Sequence, residues 1–182
     1  MLFLVSINSF AREGGWGMGT GAYTQAPGTL QTSVTGKTNT FSFAPYLFGQ
    51  YRFHLFGEHD MVPEFGFLFP KNYASNRLKS FLFFLNGDLA YPLFSFMDIR
   101  YGPGLLFQHL RGKGGAKELN DGGSTSIFYS PNTFKTSAIF TANIGLEFHV
   151  WQMFAIRTEM YWLALLSGHP QWNGALALAY TF

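Results

Sequence analysis

The sequence predicts an all-β chain: a transmembrane, antiparallel, up-and-down β-barrel of eight strands. Three observations lead there. First, 47% of the residues are hydrophobic and 19% aromatic, yet mean hydropathy is near neutral, so apolar residues must be interleaved with polar ones. Second, no run approaches the ~20 consecutive apolar residues that a spanning helix needs. Third, Leu176, Leu178, Tyr180 and Phe182 place a large apolar residue at every second position of the final segment. Alternate side chains of a strand point to opposite faces, so these four share one surface, and Ala175, Ala177, Ala179 and Thr181 share the other.

Walking along the chain gives eight segments with alternating faces, at 15 to 25, 39 to 53, 61 to 69, 78 to 91, 96 to 109, 134 to 148, 152 to 165 and 172 to 182. Each is long enough to cross a membrane as a tilted strand of about 9–11 residues. The connections alternate too. Those at 26 to 38, 70 to 77, 110 to 133 and 166 to 171 are longer or rich in glycine, and those at 54 to 60, 92 to 95 and 149 to 151 are short. Short turns inside and long loops outside, with an even strand number, place both termini in the periplasm.

The outward face carries Phe41, Phe43, Leu47, Tyr51 and Phe53 on the second strand, then Phe65, Phe67 and Phe69, and then Phe81, Phe83, Leu85, Leu89 and Tyr91. Ile99, Tyr101, Leu105 and Phe107 continue it, followed by Phe134, Phe140, Ile144, Leu146 and Phe148, and by Phe154, Ile156 and Trp162. The reading puts no charge on this face. A soluble protein would not expose so much aromatic surface.

The opposite parity collects the charges: Arg52, Glu64, Asp88, Asp98, Arg100, Glu147, Arg157 and Glu159. Three arginines facing five carboxylates imply a buried ion-pair network, because an unpaired buried charge costs several kcal/mol; a proton or ion path through it is the alternative. Towards the outer half, the inward positions are Tyr46, Phe48, Leu68, Leu82, Phe84, Leu106, Ile139, Tyr161 and Leu163. Opposite them stand Gly17, Gly19, Gly21, Ala175, Ala177 and Ala179. Either the small residues make room for the large ones, or they leave an apolar pocket lined by Phe48, Leu68, Leu82, Phe84, Leu106, Ile139, Tyr161 and Leu163.

Pro45, Pro63, Pro92 and Pro103 fall within strands or at a strand end. A closed barrel has no free edge on which a missing N–H is harmless, so each is expected to mark a bulge or a gap in the ladder.

The alternation that ends on Tyr180-Thr181-Phe182 resembles the terminal strand of bacterial outer-membrane barrels, and residues 15 to 182 resemble the small eight-stranded barrels of the OmpA, OmpX and OmpW sort. The resemblance implies an integral outer-membrane protein whose Leu178, Tyr180 and Phe182 form the signal read by the assembly machinery. Outer-membrane lipids and lipopolysaccharide are the expected partners. No peptidoglycan-binding domain follows the barrel in this sequence, so the cell-wall anchoring of the two-domain OmpA type is not expected. Leu2 to Val5 and Ser9-Phe10-Ala11 read as a truncated signal peptide over residues 1 to 11, which leaves residues 12 to 182 as one barrel domain. The strand prolines resemble, as a device, the lateral openings of the lipid A palmitoyltransferase family.

Other chemistry is sparse. His109, and His169 beside Ser167, are candidates for an external acid–base pair, but Gln171 stands where the His-x-Ser pattern of the lipid A deacylase family needs serine. No catalytic residue is assigned. His54, Glu58, His59 and Asp60 cluster in one short turn, where they have the ligand types for a divalent ion, but a solvated turn gives the same residues and is the favoured reading, so no metal or cofactor is expected. The absence of Cys rules out disulfides. Scattered Lys and Arg, at a formal net charge of +2, argue against nucleic acid, although Arg111, Lys113 and Lys117 would meet lipopolysaccharide phosphates at the rim. Three functions follow: a structural or porin-like barrel, self-associating through its flat aromatic face into homo-oligomers; a barrel that binds or laterally passes a small apolar molecule; and a lipid A modifying enzyme.

Overall fold

The computed structural model describes residues 14–25, 31–32, 38–39, 43–73, 78–120, 125–129, 132–163 and 171–182. Its strands are β1 (Gly15–Gln25), β2 (Gln31–Thr32), β3 (Thr38–Asn39), β4 (Phe43–Phe56), β5 (His59–Tyr73), β6 (Leu78–Phe94), β7 (Met97–Arg111), β8 (Ala116–Asn120), β9 (Thr125–Tyr129), β10 (Phe134–Trp151), β11 (Phe154–Leu163) and β12 (Gln171–Thr181). Eight of them close into a ring in the order β1-β12-β11-β10-β7-β6-β5-β4, and every neighbouring pair is antiparallel. The last strand seals the first. Gly17 faces Thr181, Gly21 faces Ala177, and the Phe182 N–H donates to the Trp16 carbonyl at 3.0 Å.

The two ends of the barrel differ. One end carries three tight turns, at Gly57-Glu58, Ser95-Phe96 and Gln152-Met153, each preceded by a register shift on the incoming strand, between His54 and Phe56, Pro92 and Phe94, and His149 and Trp151. A bulge beside a short turn adds the right-handed twist that a hairpin needs. Gly57, at φ +58°, takes the left-handed position. The opposite end carries the longer connections. Two of these fold into small hairpins, β2–β3 and β8–β9, where the sequence had suggested plain loops. The expected start of the second strand at 39 moves to Phe43, and residues 40–42 lie outside the described ones. Residues 1–13, with the signal-peptide reading, also lie outside them, as do Phe41, Ser167 and His169.

Alternation of burial follows the sequence parity closely. Tyr46, Phe48, Gln50 and Arg52 of β4 are buried, whereas Phe43, Leu47 and Tyr51 are exposed; Ala155, Arg157, Glu159 and Tyr161 of β11 are buried, whereas Phe154, Ile156, Met160 and Trp162 are exposed. The ladder is interrupted at the prolines. Pairing of β4 with β5 jumps from Gln50–Glu64 to Phe53–Met61 around Pro63. That of β6 with β7 jumps from Asn86–Gly104 to Leu89–Tyr101 around Pro103. A proline cannot donate to the ladder, and the register is the same on both sides of each jump, so neither proline reverses the faces. Pro92 sits at a register shift, and β4–β5 pairing begins just after Pro45, at Tyr46–Leu68.

The exterior is aromatic, but it is not free of charge at its loop end. Lys79 and Arg111 share the outward parity of Phe81 and His109 and both are exposed, which corrects the charge-free reading at the rim. Arg111 falls on this face because β7 runs past the expected end at 109, whereas Lys79 stands inside the expected strand 78 to 91, at the outward parity of Phe81. Trp16 and Trp151 lie at the turn end, and Trp162 stacks on Trp172 at the loop end with centroids 4.5 Å apart. These are the two aromatic girdles of a membrane barrel.

Candidate functional site: the lumen and the loop-end rim

The ring order decides what meets across the lumen. β4 stands diametrically opposite β10, and β11 opposite β5. Arg52 of β4 therefore reaches Glu147 of β10 at 2.7 Å and Asp98 of β7 at 2.9 Å, while Arg157 of β11 pairs with Glu64 of β5. Between these two spans lies Arg100 of β7, whose side chain is wholly buried. It binds Glu147 and Asp88 at 2.8 Å each and donates to Gln50 at 2.9 Å. Glu159 contacts Arg157 at 2.8 Å and accepts from the Tyr161 hydroxyl at 2.7 Å. All eight charged residues singled out in the sequence thus meet in one network.

Sequence reasoning missed four polar members. Gln50 bridges Arg100 and Arg157 at 2.9 Å each, Asn143 donates to Asp88 at 2.9 Å, and Asn86 contacts Glu64 at 3.4 Å. His149 closes the turn-end side, 2.9 Å from Asp98. Each lies on the same parity as a charge that was noticed, so the signal was present: counting only ionised residues passed over the amides, and ending the sixth strand at 148 left out His149. Asp98, Glu147 and His149 bring ligand-type atoms within 4.8 Å of one another. Arg52 already places its guanidinium on both carboxylates, so a cation fills that position without a metal.

Above the network, on the loop side, the inward residues form the hydrophobic core. Tyr46, Phe48, Leu68, Phe84, Leu106, Tyr161 and Leu163 are buried together, with Leu82 and Ile139 packed against them. The residues read as walls of an open pocket fill one another's space, and the reason is the placement of glycines. A Cβ at Gly19 would overlap the Phe48 ring, one at Gly21 the Tyr46 ring, and one at Gly66 the Phe84 ring. Of the two sequence alternatives, this arrangement is the one in which small residues make room for large ones. The Arg157 guanidinium lies 4.3 Å from the Phe48 centroid and joins the polar layer to the aromatic one.

His109 faces outward, its Nδ1 2.9 Å from Thr136 Oγ1, and stacks on Phe134 with centroids 5.5 Å apart. In the turn cluster, His59 lies between Phe56 and Tyr91 and His54 is 3.5 Å from Asp60, so the two histidines do not converge on one point. The terminal residues Leu178 and Phe182 are exposed on the outer wall, and Tyr180 stacks on Phe154 with centroids 5.1 Å apart.

No protein-family model and no curated protein sequence matches the chain. Its structure is similar to that of Ail, the attachment invasion locus protein of Yersinia pestis, with a TM-score of 0.54 at 11% identity, covering 93% of this chain and 100% of that one. It is also similar to Neisserial surface protein A, with a TM-score of 0.50 at 11% identity, covering 92% and 96%. The fold here is that of the small outer-membrane β-barrels. At these identities the fold is what is shared, and activity has to be argued from the residues. The barrel has the two features that a bilayer demands: a closed ring that leaves no unpaired edge, and an apolar exterior between aromatic girdles.

Proposed function

We propose that this outer-membrane barrel is a sealed, non-enzymatic structural protein that displays its hairpin end at the cell surface and keeps both termini in the periplasm. The observation that carries the proposal is the pair of buried ion-pair spans, Arg52–Glu147 and Arg157–Glu64, which cross the lumen with Arg100 between them. An eight-stranded interior is just wide enough to be filled by side chains. Here a polar layer and an aromatic layer fill it in series, so the sealed reading is favoured over the porin-like one. Orientation follows from the asymmetry of the ends, with tight turns inside and longer connections outside. The aromatic terminal strand β12 suits recognition by the assembly machinery, and lipopolysaccharide is the neighbour at the outer rim.

Reconstitution in planar bilayers tests the seal. The purified barrel is expected to give no conductance steps above the lipid baseline. Long-lived ohmic steps in the wild-type protein would show a water path through the network and return the porin-like reading.

A further inference from the structure

Lys79 and Arg111 are directly opposed residues of the β6–β7 ladder, and both are exposed on the outward face at the loop end. Lys113 follows just past Gly112, whose N–H donates to the Thr133 carbonyl at 3.0 Å and ties the exit of β7 to the entry of β10. With Asn132, Thr133 and Phe134, these three cations line an open groove of about 750 Å³. Among the described residues no carboxylate lines it and none of the three is held in an ion pair. Like charges directly opposite on neighbouring strands repel and destabilise the pair. An anion seated between them reverses the sign of that interaction.

The surroundings specify the kind of anion. On the membrane side of the cations, Phe81 packs against His109 with centroids 6.3 Å apart, and His109 stacks on Phe134 at 5.5 Å. Cations above an aromatic shelf on a lipid-facing wall match the order of phosphate and acyl chain in a lipid. We propose that this groove is a binding site for a phosphate group of an anionic, phosphorylated glycolipid of the outer leaflet. Lys79 and Arg111 hold the phosphate, Lys113 and Asn132 face the sugar headgroup, and the acyl chains run down over Phe81 and Phe83. The choice of leaflet rests on the proposed orientation; the chemistry of the groove does not.

Native mass spectrometry of the detergent-solubilised protein, titrated with bisphosphorylated lipid A, tests the site independently of how the barrel faces in cells. One lipid A is expected to be retained in preference to phosphatidylethanolamine, and millimolar inorganic phosphate should not displace it. Each basic residue near an anionic lipid surface is worth about fivefold in affinity, so the double variant Lys79→Gln/Arg111→Gln should lose about 25-fold. Heat-modifiable migration on gels checks that the variant is folded. If it does not fold, the salt dependence of the wild type decides: retention must fall as ionic strength rises. Unchanged retention in the folded variant, salt-independent retention, or displacement by inorganic phosphate alone would overturn the proposal. A reversed orientation in cells would instead move the lipid to the inner leaflet and leave these results standing.

Discussion

Replacing Arg100 with Ala is expected to lower the unfolding free energy of the lipid-reconstituted barrel by about 3–5 kcal/mol, the usual cost of stranding a buried charge partner. The side chain is wholly buried, and its guanidinium sits between Glu147 and Asp88 at 2.8 Å each, with Glu64 at 3.4 Å. Removing it leaves these three carboxylates facing one another with less compensation, in a layer that already sets five acids against three arginines. Urea unfolding in vesicles, followed by tryptophan fluorescence, reads the effect. Lys113→Ala at the exposed rim should stay within about 0.5 kcal/mol, as surface changes do. A loss below about 1 kcal/mol for Arg100→Ala would mean that water reaches and screens the network, which would contradict a sealed lumen.

A charge placed on the outer wall should show a different signature, one that depends on depth. Leu85 stands near the middle of β6, exposed outward and paired with Phe65 and Leu105 on its two neighbours. An arginine there meets the bilayer midplane, and Leu85→Arg is expected to cost about 2–4 kcal/mol. Phe43→Arg, at the exposed loop end of β4 opposite the neutral Thr24, should cost about 0–1 kcal/mol, because the long side chain reaches the interface. The same unfolding assay compares the two. Equal costs at both positions would show that this face does not span a lipid slab.

Much of the architecture is legible from alternation alone, because a period of two is a local property and a buried lumen makes it strict. Arg52, Glu64, Asp88 and Arg157 could be assigned inward from parity without knowing what they touch. Which of them meet could not. Arg52 finds Glu147 across 95 positions of sequence because closure sets β4 opposite β10, and no segment encodes that by itself. The filling of Gly66 by Phe84 has the same origin, since the two residues are cross-strand partners only in the folded register of β5 and β6. The hairpin β8–β9 escaped notice because its ten strand residues carry no sustained alternation of large and polar side chains. Of the rim cations, Arg111 escaped because a boundary at 109 turned it from an outward strand residue into a loop residue; Lys79 was legible from parity, standing two positions before Phe81 in the expected strand 78 to 91.

The orientation of the barrel in the cell bears most directly on the account. The chain has no cysteine, so a single introduced thiol reports its own position. Thr133→Cys marks the exposed loop end and Glu58→Cys the exposed turn end, and a polyethylene-glycol maleimide too large for porins serves as the probe. The account predicts labelling of Thr133→Cys in intact cells, and labelling of Glu58→Cys only after the outer membrane is permeabilised. The opposite pattern, or labelling of both in intact cells, would contradict a barrel that spans the outer membrane with its hairpin end at the surface.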